Sequence, residues 1–180
     1  TGSIVASGKP ISLPTSVSRC QTGATCSGTA DEVRTTIDYG PQTSGTANNL
    51  LPVSTTTQAG DNSVSATSTS SYDAFGDLLT VDGPLAGNAD TVRYRYDAGQ
   101  RLLGVVGPDP DGPGGRNLRA QRYTYNPVDQ VTVSEVGTVA SQSDADWANF
   151  TTLQQVTTTY DSNARKTQDV ATAGGTTYGV

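Results

Sequence analysis

The chain has 180 residues, 33% of them hydrophobic, with 11 Lys plus Arg against 17 Asp plus Glu and a net charge of −6. That length can hold one domain with a sizeable core, but so few apolar residues argue for a thin sheet with one apolar face. The acidic balance disfavours a nucleic-acid partner, whose binding rests on phosphate neutralisation, and the absence of histidine removes His-based triads, His metal sites and the usual neutral-pH switch.

Residues 1–30 are rich in Ser, Thr, Gly and Pro and read as an arm or linker. Their one extended piece, Ile11 to Val17, carries Pro14 and follows Pro10, which keep it out of central strand pairing. Cys20 and Cys26 enclose Gln-Thr-Gly-Ala-Thr. Two readings compete: a small-loop disulfide, which needs an oxidising compartment, or two inert thiols; the turn-forming residues between them favour the disulfide. A two-cysteine metal site without histidine partners fits poorly. The apolar run Ser3-Ile4-Val5-Ala6 is too short for a signal peptide, and no stretch approaches a membrane-spanning helix.

Residues 31–180 read as an array of antiparallel hairpins. Asp31 to Asp38 is its first strand, with a worn hairpin copy at Thr36 to Gly40 and Leu50 to Val53 returning as the partner. Ser63 to Ser71 is a strand of low hydrophobicity. The clearest hairpin is Tyr94-Arg95-Tyr96-Asp97-Ala98-Gly99-Gln100-Arg101-Leu102-Leu103. Val92, Tyr94 and Tyr96 alternate with Arg93, Arg95 and Asp97, so the tyrosines should share one sheet face and the arginines the other. Asp97 to Gln100 has turn chemistry, and Gly107-Pro108 ends the second strand.

This hairpin recurs. Tyr72-Asp73-Ala74-Phe75-Gly76 has Leu78 six residues after its Tyr, as Leu102 follows Tyr96, and the same offset places Pro84 and Pro108. A third copy is Tyr123-Thr124-Tyr125-Asn126 with Val131, and a fourth is Tyr160-Asp161 with Arg165 where Arg101 stands. The key tyrosines at 72, 96, 125 and 160 are 24, 29 and 35 residues apart. Irregular periods in this range mark a repeat array with variable insertions. The longest gap holds Ser141 to Phe150, the one helical candidate. Ser143 can cap it, Asp144 and Asp146 suit its positive end, and Trp147 and Phe150 fall on one face. Trp147 reads as a pin between helix and sheet, with a ligand platform as the alternative.

These copies resemble the YD-repeat (Rhs) family, whose pattern is roughly Tyr-x-Tyr-Asp-x-x-Gly-Arg-Leu. The resemblance rests on Tyr72, Asp73, Gly76 and Leu78; on Tyr94, Tyr96, Asp97, Arg101 and Leu102; and on Tyr123, Tyr125, Tyr160, Asp161 and Arg165. The pattern's Gly is kept only at Gly76, with Gln100, Asp129 and Ala164 in its place elsewhere, and Asn126 replaces an Asp. The resemblance implies an all-β curved sheet forming part of a hollow shell around a toxic C-terminal domain, in a bacterial protein that is secreted, extracellular or on the cell surface. It implies a structural role, no enzyme activity and no cofactor. Partners would be other repeats, further copies paired by strand edges, or an enclosed toxin domain. Thr176-Thr177-Tyr178 reads as another strand beginning, so a segment of a longer array is expected.

Asp109-Pro110-Asp111-Gly112 bears on one further property. Some Rhs proteins cut themselves at an Asp-Pro-x-Gly-Leu motif near the end of the shell. Here Pro113 stands where Leu is expected and further repeats follow, so a turn is the expected reading. Asp82, Asp109 and Asp111 lack the spacing of a calcium loop. Asn149-Phe150-Thr151 matches a short glycosylation pattern. An adhesin, a glycan-binding surface or a self-pairing filament unit are the alternative functions.

Overall fold

The computed structural model describes residues 2–4, 11–41, 50–112 and 114–179. They are all-β except for one short helix, and the chain forms two compact units, residues 1–84 and 85–180. Pro10 and Pro113 lie outside the described residues.

In the first unit, β1 (Gly2–Ile4) pairs with β2 (Ile11–Leu13). The strands β3 (Ser16–Cys20), β4 (Glu32–Asp38), β5 (Ser54–Ala59), β6 (Ser65–Tyr72) and β7 (Leu78–Asp82) follow as an antiparallel meander in chain order. This sheet has little apolar surface to bury. It orders through β-branched stiffness and cross-strand hydroxyl pairs: Thr35 with Thr57, Thr56 with Thr67 at 2.8 Å, and Ser71 with Thr80. Two sequence boundaries move. The residues read as an arm contribute β3, which pairs with β4 because Pro14 sits just outside it and costs no ladder bond. The return partner of β4 is β5, starting after Leu50-Leu51-Pro52-Val53; Pro52 has no N–H to give.

A sulfur bridge joins Cys20 to Cys26 at the end of β3. Glu32, the first residue of β4, lies opposite Cys20 and is buried. Glu32 accepts from Ser18 Oγ and from the Gly28 N–H at 2.8 Å. The Ser18 hydroxyl and then the Gly28 amide hold its carboxyl below the usual glutamate range.

In the second unit, β8 (Val92–Tyr96), β9 (Leu102–Val106), β10 (Leu118–Tyr125), β11 (Val131–Val139), β12 (Thr151–Tyr160), β13 (Lys166–Ala173) and β14 (Thr176–Gly179) form a seven-strand antiparallel meander. Helix α1 (Asp144–Ala148) interrupts it between β11 and β12. Registers align Arg93, Val106, Ala120 and Gly137 in one row and Arg95, Gly104, Arg122 and Glu135 in the next. Directly opposed residues share a face. That face carries the core, Val106, Leu118, Ala120 and Val139, under Trp147 and Phe150. The arginine side of β8 is therefore the covered side, and Tyr94 lies on the other. Alternation in β8 separates the two faces but does not say which is covered, because the cover arrives from the excursion after β11, far along the chain.

Candidate functional site: turns, tyrosine clamps and a helical strap

Each repeat ends its first strand in the same turn. Asp97 Oδ1 accepts the N–H groups of Gly99 and Arg101 at 2.8 and 3.0 Å, and the Asp97 N–H donates to the Arg101 carbonyl. Asp73 does the same with Phe75 and Asp77, Asn126 with Val128 and Gln130, and Asp161 with Asn163 and Arg165. Asn126 replaces Asp without loss because a side-chain carbonyl oxygen accepts both bonds. Where an Arg stands four residues on, it also binds the carboxylate: Arg101 Nε to Asp97 at 2.7 Å and Arg165 Nε to Asp161 at 2.8 Å. The Arg101 guanidinium, with the Arg101 amide, holds the Asp97 carboxyl below its ordinary range; the Arg165 amide and then its guanidinium do so for Asp161.

The third residue after the Asp or Asn has positive φ in all four turns: Gly76 (94°), Gln100 (63°), Asp129 (64°) and Ala164 (63°). This is the pattern's glycine position, and three repeats occupy a left-handed conformation with a side chain. Ala164 has no side-chain group to offset that strain. Ala164→Gly should stabilise the protein by about 0.5–1 kcal/mol, the left-handed penalty less the added unfolded-state entropy. Equilibrium denaturation would read this as a raised midpoint at unchanged slope.

The turns also reach one another. Arg101 Nη1 donates to the Asn126 carbonyl and pairs with Asp129 at 2.9 Å, and Gln130 Nε2 donates to the Ala164 carbonyl at 2.7 Å. In the same repeats the register shifts just before the key tyrosine, at Ser71/Tyr72, Arg95/Tyr96, Thr124/Tyr125 and Thr159/Tyr160. Across that bulge the tyrosine faces the residue six positions on: Tyr72 opposite Leu78, Tyr96 opposite Leu102, Tyr125 opposite Val131, Tyr160 opposite Lys166. The sixfold offset is therefore the register of the hairpin.

The tyrosine hydroxyls cross to the preceding hairpin. Tyr125 donates to the Leu102 carbonyl at 2.8 Å and Tyr160 to the Val131 carbonyl at 2.9 Å. In the first unit Tyr72 donates to the Pro52 carbonyl at 2.9 Å and Tyr39 to the Pro14 carbonyl at 3.0 Å. Each clamp satisfies a carbonyl at or just before the start of a strand, where the ladder with the following strand has not yet begun. Arg101 stacks on the Tyr125 ring, 4.9 Å from its centroid. Tyr123, by contrast, bonds Gln121 and takes no part in the clamp. Tyr125→Phe should cost about 1–3 kcal/mol by leaving the Leu102 carbonyl without its donor. Denaturant titration, with hydrogen exchange at the β9 amides, would check it.

The strap from Ser141 to Phe150 is pinned through the arginine face. Ser143 caps α1 by accepting from the Asp146 N–H at 3.1 Å. Gly104 and Gly137 form the floor: a Cβ at either would overlap Trp147 or Phe150 and a neighbouring backbone carbonyl. Arg95 stacks on Trp147 at 4.9 Å and Arg122 on Phe150 at 4.5 Å, and the two rings meet edge-to-face at 5.7 Å. Arg95 Nη2 also donates to the Gln142 and Ser143 carbonyls and pairs with Asp144 at 3.0 Å. Burial pushes the Arg95 guanidinium down, followed by repulsion from Arg93, while Asp144 opposes both. Glu135 is buried beside them and takes both Arg122 nitrogens, Nε at 2.7 Å and Nη2 at 3.0 Å, plus the Thr152 hydroxyl. Gln142 Nε2 ties the strap to the loop carbonyls of Thr91 and Gly107. The signal for this network was a glycine opposite an arginine in a strand, since glycine in a sheet marks close approach.

The loop at Asp109-Pro110-Asp111-Gly112 is a turn. The Gly112 N–H donates to the Asp109 carbonyl at 3.3 Å, and Asp111 accepts from the Arg116 N–H. The Asp109 N–H donates to the Asn88 carbonyl, and the two loops border a cavity of about 390 Å³ lined by Asn88, Asp109 and Pro110. No helix among the described residues is long and apolar enough to cross a membrane. No family model matches the chain, and no curated protein matches it.

Proposed function

We propose that this chain is a non-enzymatic structural segment, a piece of the wall of a hollow β-shell of the kind formed by YD-repeat (Rhs) proteins, which enclose a toxic C-terminal domain. The observation that carries this reading is the recurrence of turn and bulge in four repeats, with the clamps of Tyr72, Tyr125 and Tyr160 each tying a strand to the one before it. Such an array gains stability from nearest-neighbour seams and needs no deep core. The covalent bridge between Cys20 and Cys26 supports a location outside reducing compartments, secreted or on the cell surface. Electron microscopy of the full polypeptide carrying this segment tests the reading. A closed wall around internal density supports it; an open rod with no enclosed density overturns it.

The alternative of a strand-pairing assembly unit is favoured by β14, which pairs with β13 alone among the described residues and has no charged residue and an exposed Tyr178. Unblunted edges of this type recruit other strands. Sedimentation of the isolated chain over a concentration series separates the two, since a wall segment with protected edges stays monomeric. A glycan-binding surface built on Trp147 is weaker, because that ring is occupied between Arg95 and the Gly104 floor.

A further inference from the structure

We propose that the Cys20–Cys26 bridge is a redox-gated metal site: once reduced, the two sulfurs and the Asp31 carboxylate bind a thiophilic divalent cation such as zinc or cadmium. This inference does not rest on the shell reading; it concerns the chain after a reductant has opened the bridge that the structure shows formed. The sulfur of Cys20, the sulfur of Cys26 and a carboxylate oxygen of Asp31 all lie within 4.8 Å of one another. The sequence pairs the cysteines only with each other; the fold brings in the third donor by returning β4 alongside β3.

The loop is held by bonds that do not pass through the disulfide. Asp31 Oδ1 accepts from the Thr22 N–H at 3.0 Å and its hydroxyl at 2.6 Å, and Oδ2 accepts from the Gly23 N–H at 3.1 Å. The Gln21 N–H donates to the Asp31 carbonyl at 3.0 Å, and the Thr29 N–H and hydroxyl both donate to the Cys26 carbonyl. Reduction therefore leaves both thiols beside an oriented carboxylate. Outer hydrogen bonds of this kind fix a ligand's direction and support its affinity. Cys26 is buried, which shields one side of the site. Two thiolates and one carboxylate supply three of the four ligands of a tetrahedral, borderline-soft ion.

The chemistry balances with a phosphine as reductant. The S–S bond breaks, the phosphine takes oxygen from water to become its oxide, and each sulfur gains a proton. Metal binding then releases those two protons as two metal–sulfur bonds form.

The full chain, reduced with a phosphine that is then removed without oxygen, would be titrated with cadmium alone. The expected result is a thiolate-to-cadmium charge-transfer band saturating at one metal per chain, with none for the oxidised chain. Asp31→Asn should weaken binding at least tenfold. X-ray absorption at the cadmium edge of the native reduced chain should show two sulfurs with oxygen ligands, a readout that stands even where the variant disturbs the loop. No band on reduction, one metal shared between two chains, or unchanged affinity in Asp31→Asn would each overturn the proposal.

Discussion

Trp147→Ala is expected to destabilise the second unit by about 3–5 kcal/mol, the range for truncating a packed tryptophan. The ring covers Gly104, meets Phe150 edge-on and carries the Arg95 guanidinium on its face. Its removal leaves a hollow that glycine cannot fill and strips a buried cation of its aromatic partner. Among the described residues Arg95 Nε and Nη1 have no hydrogen-bond acceptor, so the ring is what accommodates that edge of the charge. The loss should spread to Val106, Ala120 and Val139, which form the floor with Leu118. Hydrogen exchange at those three amides, with circular dichroism for the global transition, would measure it. A change below about 1 kcal/mol would mean that the strap rests on the sheet without holding it.

Glu135→Ala should cost about 2 kcal/mol. Breaking a buried ion pair by removing one partner costs roughly 3–5 kcal/mol, and the figure is reduced here because the Arg122 side chain is 35% exposed. Arg122 keeps its place over Phe150 but loses both oxygen acceptors, and Thr152 loses one. The same contacts set a pH dependence. The Arg122 hydrogen bonds hold the Glu135 carboxyl below the ordinary glutamate range despite burial, with Thr152 assisting. A depressed carboxyl contributes stability that is complete above its unfolded pKa and drains as pH falls through the lower folded value. Stability of the native chain should therefore fall with acid below about pH 4.5, and Glu135→Gln should flatten part of that slope. Denaturant midpoints measured from pH 7 to pH 3 would show it; parallel slopes in the two proteins would refute the assignment.

The sequence by itself determined the hairpins and their turns, because both depend on neighbours within a few residues. Alternation over Val92 to Tyr96 specifies a strand, and an Asp or Asn with a backbone N–H two and four residues on specifies the turn at Asp73, Asp97, Asn126 and Asp161. The sixfold offset from Tyr96 to Leu102 was likewise visible, since register within one hairpin is set by its turn. The cap at Ser143 and the apolar pair Trp147 and Phe150 were legible for the same local reason. Only the tertiary structure decided where the tyrosine hydroxyls go, which face of β8 is covered and what stands beside the cysteines. Tyr125 reaches Leu102 across 23 positions, Arg95 reaches Asp144 across 49, and Asp31 meets the sulfurs only because β4 folds back on β3. An arginine beside a tyrosine reads as outward from its own strand alone. It turns inward here because an excursion some fifty residues later supplies a tryptophan face and two carbonyls, and those contacts offset a desolvation cost that local pattern cannot register.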